Sequence, residues 1–490
     1  MTVQITARYL YLPVDKNSPV VKLHFFYHRE KFQEIDISPG ADAVDFYSAM
    51  DVERYIGKAI EIAGDLPMGA QEKIHCEDKR PSAKYAFRPQ IHFTAETGWL
   101  NDPNGLIYAD GVYHLYHQWN PFGTEWGNMH WGHAVSKDMI TWEHRPVALE
   151  PDEYGTVFSG CAWRDSDNTA GFGKNALLFF YTASGGCNQW SVDAVNPHTQ
   201  RLAVSLDGGG TLEKRGMILG HIKGDNRDPK VFYHKESAAY IMTLFLDGNE
   251  FAIFRSQDLL HWTESQRLIA ENMQECPDLF RLEVDNVPGE KKWVFWSADG
   301  YYMVGEFDGC RFTPETEVLA AYSTSLGYAA QTFAGMEGRT VSVAWLRTKS
   351  DRGNFRGMMS IPTELSLVKQ GNSWKMCFRP VRELWRRFSE GREFTAENGK
   401  VAVPMGGKPV IAVISWKPGE KHIVKVGATE IEAGASAQPL TLIADHGIVE
   451  YFGDGGRVYG AIEVEENILD RDIAVNSGAE SVRVFEMLDA

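Results

Sequence analysis

Ser136-Lys137-Asp138-Met139-Ile140-Thr141-Trp142 recurs along the chain as Ser256-Gln257-Asp258-Leu259-Leu260-His261-Trp262, with a degenerate copy at Ser205-Leu206-Asp207-Gly208. One such stretch is an ordinary turn. Three in order, spaced by about one sheet of four strands with its loops, are an internal repeat. Around them, compact β-favouring runs alternate with Gly, Asn and Asp turns. A four-stranded sheet of this size needs neighbours to bury its faces, and radial stacking of such sheets makes a β-propeller. The span 85–372 has room for five blades, so the expectation is an all-β chain built on a five-bladed β-propeller.

Working outward, residues 6–14, 20–27 and 31–38 read as short strands, and 51–63 as either a strand pair or a short helix. Residues 65–84 mix Pro, Gly and charge and read as a linker, so 1–84 is expected to be a small N-terminal β-rich module with its linker. Downstream, 378–388 reads as a short helix. Leu440 to Ile443 and Gly447 to Phe452 read as strands before the turn Gly453-Asp454-Gly455-Gly456, and 373–490 fits a C-terminal β-sandwich.

Composition excludes several classes. The formal net charge is −17 and no basic stripe runs along the chain, which argues against a nucleic-acid partner. No stretch approaches ~20 consecutive apolar residues, the length a membrane-spanning helix needs. Arg8, Pro13, Asp15 and Lys16 interrupt any apolar run near the start, so the sequence as written reads as cytoplasmic; an exported chain with its leader removed would read the same. The six cysteines are widely scattered, which excludes CxxC patterns and favours isolated buried thiols. Aromatics make up 12% of the chain; strand propensity accounts for most of them, and a sugar-binding surface is the sharper alternative.

Three acidic motifs are candidates for chemistry. In Trp99-Leu100-Asn101-Asp102-Pro103-Asn104-Gly105, Pro103 bars the helical conformation at Asp102, although taken alone Asp-Pro-Asn-Gly reads better as a plain hairpin turn. Asn226-Arg227-Asp228-Pro229-Lys230 again pins a carboxylate before proline; a surface Arg–Asp pair is the bland alternative. In Gln274-Glu275-Cys276-Pro277-Asp278-Leu279-Phe280, the apolar setting suggests a buried carboxyl with a raised pKa. One ionised and one protonated carboxyl are what a retaining glycosidase requires.

The three motifs in this order resemble glycoside hydrolase family 32, the invertases, levanases, inulinases and related fructosyltransferases. The likeness continues through His117-Gln118-Trp119-Asn120-Pro121, Trp126-Gly127-Asn128-Met129-His130-Trp131-Gly132-His133-Ala134, Phe158-Ser159-Gly160, Phe307-Asp308-Gly309, Trp345 and Gly357-Met358-Met359-Ser360-Ile361-Pro362. Asp445 through Gly455 resembles the family's closing strand pair, and Arg8 through Val14 resembles the extra N-terminal module of some levanase-type members.

The resemblance implies that Asp102 is the nucleophile at the anomeric C2 of fructose. Glu275 would be the acid that protonates the leaving oxygen and then the base. It implies that Asp228 binds fructose hydroxyls and stabilises an oxocarbenium-like transition state, with Arg227 holding the neighbouring carboxylates. Asn101, Gln118, Trp126, Phe158, Ser159 and Trp345 would line the fructose pocket. The substrate expected is a neutral fructose-containing saccharide, with fructan favoured over sucrose, and no cofactor or metal is expected. The family pattern is broken at Cys161, where serine is common, and at Thr363, where arginine is usual.

A fructosyltransferase or difructose-anhydride-forming enzyme on the same site stays open, as does a non-catalytic sugar-binding propeller, which the presence of all three carboxylates disfavours. His130 and His133 lie three apart in a strand pattern, face opposite sides and read as structural rather than metal-binding. Gly208-Gly209-Gly210 lacks a following Lys-Ser/Thr and reads as a hairpin turn, not a phosphate cradle.

Overall fold

The computed structural model describes residues 1–81, 85–395, 401–403, 406–416, 422–426, 429–434, 438–470, 473–475 and 479–489. Residues 82–84, the end of the expected linker, lie outside the described residues.

The repeated stretch is the joint between the third and fourth strands of a sheet. Oδ1 of Asp138 accepts from Ser136 Oγ at 3.0 Å and from the amides of Ile140 and Thr141 at 2.9 and 2.7 Å. Asp258 makes the same set with Ser256, Leu260 and His261 at 3.0, 3.0 and 2.8 Å. Asp207 does so with Ser205, Gly210 and Thr211 at 2.6, 3.0 and 3.0 Å. A fourth joint uses Asp308, which takes the amides of Cys310 and Arg311 at 2.7 Å each. Only a short carboxylate can gather successive amides this way, hence the recurring aspartate.

Five antiparallel sheets follow one another along the chain. Their first strands are Gly98–Ala109, Thr156–Asp165, Arg227–His234, Asp278–Glu283 and Gly327–Thr332. These first strands are linked in sequence order. Gly160 N donates to Asn104 Oδ1 at 3.1 Å, and Val231 N to Cys161 Sγ at 3.1 Å. Asp278 Oδ2 pairs with Lys230 at 3.1 Å and accepts from Thr332 N at 3.0 Å. Ala334 N then returns to Leu106 O at 2.9 Å, which closes the ring of five blades. Apolar faces fill the gaps between blades, as where Leu178 and Phe180 meet Val231 and Met242. Each such side chain contributes roughly 1.5–3 kcal/mol on burial, which is why no blade stands alone.

Several local expectations shift. The outermost strand of the fifth blade, Ser373–Pro380, pairs with Thr363–Gln370, so a boundary at 372/373 falls inside a hairpin and the blade runs to Pro380. Residues 51–63 resolve into a 3-10 turn, Glu53–Tyr55, and a strand, Ala59–Ala63. Part of the expected linker is structured: His75–Glu77 pairs with Tyr9–Tyr11, and Leu66 and Ile74 pack on the module's core. The 378–388 helix shortens to a 3-10 turn, Leu384–Arg387. Cys161, Cys276 and Cys377 are buried, but Cys187 and Cys310 are exposed.

The N-terminal module is a pair of sheets of four and three strands closing on Leu10, Leu12, Phe25, Ile35 and Ile62. The C-terminal part is a sandwich of a six-stranded and a four-stranded sheet around Ile414, Val424, Leu442 and Val482. His92 fastens it to the propeller: Nδ1 meets Asp445 Oδ2 at 3.0 Å and Nε2 meets Glu450 Oε1 at 2.9 Å, all fully buried. Among the described residues, no helix is long and apolar enough to cross a membrane.

Candidate active site

Four of the five first strands carry a bulge near their starts. The register breaks between Leu100 and Pro103, Val157 and Gly160, Arg227 and Lys230, and Tyr328 and Gln331. A bulge adds a residue and re-aims side chains, and Pro103 and Pro229 favour one by withholding a ladder N–H. Gly160 allows the second of these breaks, because a Cβ there would meet Phe180 O at 1.9 Å. The remaining blade uses backbone strain instead. Glu275 and Cys276, just before Asp278–Glu283, sit at φ +52° and +43°, and Asp228 at +64°. Non-glycine residues held in the left-handed region cluster where structure serves a site.

These distortions bring Asp102, Asp228 and Glu275 into one cavity of about 620 Å³. Asp102 Oδ2 accepts from Ser159 Oγ at 2.6 Å, and Oδ1 from Asn101 Nδ2 at 3.1 Å. Trp99 Nε1 holds Asn101 in turn, at 2.9 Å. Asp228 Oδ2 accepts from Cys276 N at 3.0 Å, and the Cys276 thiol touches both Asp228 Oδ2 at 3.6 Å and Asp102 Oδ2 at 3.7 Å. Glu275 is gripped on both oxygens, by Arg227 Nη2 at 2.6 Å and by the Tyr328 hydroxyl at 2.6 Å. Arg227 itself lies over the Phe245 ring at 4.6 Å.

The three carboxyls have different surroundings. Burial pushes Asp228 up to about 7, against the opposing charge of Arg227 and with the charges of Glu275 and Asp102 adding to the rise. Burial also raises Asp102, while the hydrogen bonds from Ser159 and Asn101 support its ionised form. The expectation that Glu275 is the buried carboxyl is corrected: its side chain is 29% exposed, against 4% for Asp228. The backbone turn at Glu275 and Cys276 points the carboxyl into the cavity and the thiol inward.

Residues 92–380 match the family model of the glycosyl hydrolases family 32 N-terminal domain. The chain belongs to glycosyl hydrolases family 32. Within family 32 it is 38% identical over 330 residues to a levanase of Bacillus subtilis, covering 61% of this chain and 47% of the levanase. It is 33% identical over 356 residues to an extracellular exo-inulinase of Aspergillus niger, covering 62% of this chain and 66% of that one. The chain thus matches less than two thirds of the length of these curated relatives. Among solved structures, an exo-inulinase of Aspergillus awamori superposes with a TM-score of 0.71 at 25% identity, over 83% of this chain and 99% of its own. A family 32 glycoside hydrolase of Bifidobacterium adolescentis matches with a TM-score of 0.68 at 18% identity, over 99% of both chains, so its fold includes a counterpart of the N-terminal module.

All ten residues singled out in the sequence reach the same family 32 cavity. Besides the three carboxylates, its walls include Asn101, Gln118, Trp126, Phe158, Ser159, Arg227 and Trp345. Gln118 Nε2 and Trp345 Nε1 are buried there without a hydrogen-bond partner. Sequence reasoning missed Tyr328, Asp225, His198 and Cys187, which share the lining. The Arg-Asp-Pro motif was a pointer to Asp225 two residues upstream; nothing local marks Tyr328. His130 and His133 lie away from the lining, both buried. His130 Nε2 faces Gln33 Nε2 at 3.3 Å, and His133 Nε2 faces His114 Nδ1 at 3.1 Å. Among the described residues no cluster of three or more His, Cys, Asp or Glu is arranged to hold a metal ion.

Proposed function

We propose that the chain is a retaining exo-β-fructosidase that removes terminal β-D-fructofuranosyl residues from fructans, fructo-oligosaccharides or sucrose. The observation that carries this reading is the convergence of three carboxylates, each differently held, in a single cavity. Asp102, held by Ser159 and Asn101, attacks the anomeric C2 as the C2–O bond to the leaving group breaks. The leaving oxygen takes its proton from Glu275. In the second step Glu275 takes a proton from water, the water oxygen attacks C2, and Asp102 is released, so two inversions leave the configuration retained. Asp228, deepest of the three, holds fructose hydroxyls and faces the positive charge that develops on the ring.

Burial grades from floor to mouth. Gln118 is 1% exposed, whereas Trp126 is 56% exposed. Burial that deepens from an exposed rim to a buried floor favours a chain end over a mid-chain bond. The unpartnered donors of Gln118 and Trp345 suit a ligand rich in hydroxyl acceptors. The names of the levanase and exo-inulinase relatives support the substrate class.

Product analysis after separate incubation with sucrose, inulin and levan tests this. Free fructose as the sole early product from inulin or levan is expected. Early release of larger fragments would remove the exo assignment. Longer oligosaccharides made from sucrose would assign a transferase, and binding without any cleavage would assign a lectin-like propeller.

A further inference from the structure

The N-terminal module lies outside the family match at 92–380, and it holds two of the loops that line the catalytic cavity. Trp126 stands on a loop between the strands Val112–Asn120 and His130–Ser136. Both feet of that loop are held by the module. Phe122 is 2% exposed and packs into the module's own apolar core, while Ser48 Oγ donates to Pro121 O at 2.6 Å. At the other foot, Asn128 makes a reciprocal pair with the backbone of Asp36: Asp36 N donates to Asn128 Oδ1 at 2.8 Å, and Asn128 Nδ2 donates to Asp36 O at 2.7 Å. The propeller shares the hold: Asn120 Nδ2 donates to Glu125 O at 2.8 Å, Arg356 pairs with Glu125 Oε1 at 2.6 Å, and the Trp126 ring meets Phe158 edge-on at 6.0 Å.

In the same cavity wall, Gly185, Gly186 and Cys187 line the cavity and lead into the short helix Gln189–Asp193. Its first amide, Gln189 N, donates to Glu34 Oε1 at 2.7 Å. Glu34 is 4% exposed and is balanced by Lys31 at 3.0 Å, His24 at 3.3 Å and Lys22 at 3.6 Å. Glu34 and Asp36 lie on one strand, Glu30–Ile37, which is the edge of the module's four-stranded sheet. The edge that would otherwise invite another strand is thus occupied by the two loops that form the mouth.

We infer that the N-terminal module is a specificity element: its edge strand fixes Trp126 and the Gly185–Cys187 segment where the sugar units beyond the terminal fructose must pass. This rests on the exo-fructosidase reading. Trp126, expected from the family resemblance to line the fructose pocket, is 56% exposed and stands at the rim, above the buried Gln118, so the module acts on discrimination between leaving groups and leaves the chemistry alone. Asn128, Glu34 and Phe122 are positioning residues.

The test compares an aryl β-fructoside, which has no sugar beyond the fructose, with a fructo-oligosaccharide of several units. Asn128→Asp suits the loop foot, because Asn128 sits at φ +43°, which aspartate tolerates, and the change replaces the donor to Asp36 O and Asn120 Oδ1 with a carboxylate oxygen that both repel. Glu34→Ala removes the anchor of the other loop. Both are expected to keep kcat/KM on the aryl fructoside within about twofold and to lose on the order of tenfold on the oligosaccharide, mostly in KM. Asp36→Ala is the control, since the loop bonds the Asp36 backbone and not its side chain; its ratio should match the parent. Equal losses on both substrates, or an unchanged ratio in both loop variants with melting curves like the parent's, overturns the inference while the fructosidase reading stands. A parent inactive on every fructoside defeats that reading instead.

Discussion

The Tyr328 hydroxyl donates to Oε2 of Glu275 at 2.6 Å, while Arg227 holds the other oxygen. Burial, and then the charge of Glu275, raise the tyrosine's own pKa far above its usual range, so it remains a donor at any working pH. A hydrogen bond to a charged group is worth about 1.5–3 kcal/mol. Tyr328→Phe is therefore expected to lower kcat on the order of tenfold to a hundredfold with the fold unchanged. Steady-state kinetics beside a thermal melt checks this, and a loss under twofold would remove Tyr328 from the machinery.

Replacing Glu275, the proposed acid, should separate proton donation from binding. A sugar alcohol leaves poorly without a proton, whereas an activated phenol leaves unaided. Glu275→Gln is expected to slow sucrose or fructan cleavage by about 10²–10⁴-fold and an activated aryl fructoside far less. Equal slowing of both substrates would shift the acid's role elsewhere, with Asp225, which shares the cavity lining, the next carboxyl to examine, since Asp278 is buried against Lys230 and Thr332.

Asp228, the proposed stabiliser of the developing charge, works against stability. Its carboxyl titrates near 7 when folded and near 3.8 when free, because burial outweighs the help of Arg227. Between those values the folded chain keeps a proton that the unfolded chain has lost. Stability therefore falls as pH rises through that window, and the deficit is complete above about 7. Asp228→Asn is expected to be inactive yet more stable than the parent at pH 8, by up to about 4 kcal/mol. The difference should vanish near pH 4. Urea melts at the two pH values decide it; equal stability at pH 8 contradicts the burial argument.

How much of this was legible in the sequence depends on how local each cause is. Asp102 and Asp228 precede prolines and Glu275 lies two residues before one, so neighbours in sequence mark the bulges that aim the two aspartates and the strained turn that aims Glu275. The aspartate joints were legible because each is a closed loop of a few residues. Tyr328 was not, since its direction comes from a bulge opposite Val343 to Trp345 and from Ala329 at φ +50°, which a Gly-Tyr-Ala-Ala run does not announce. The strand His75–Glu77 was hidden for a related reason: it exists only through pairing with Tyr9–Tyr11, far away in the chain. The burial of Glu275 was misjudged because Cys276 and Leu279 turn into the core while the strained backbone swings the carboxyl outward.

His92 ties the start of the propeller to the sandwich, and its titration should be visible in stability. Burial alone would lower its pKa, but hydrogen bonds to Asp445 and Glu450 prevail and push it up to about 9. Its contribution is complete below the unfolded value near 6.5 and is lost as pH rises through 9, on the order of 3 kcal/mol. His92→Gln is expected to destabilise strongly at pH 6.5 and to differ much less from the parent at pH 9.5. A pH-independent difference would mean that the ring serves by shape rather than charge.

The central claim is that Asp102 forms the covalent bond to fructose. Its carboxylate is ordered by Ser159 and Asn101, and asparagine in its place keeps the size and one oxygen acceptor while losing the nucleophile. The most direct measurement is turnover of Asp102→Asn on a fructoside beside its circular dichroism spectrum. An unchanged spectrum with activity down on the order of 10⁴-fold or more is the expected result. A folded variant whose turnover stays within tenfold of the parent would contradict the account.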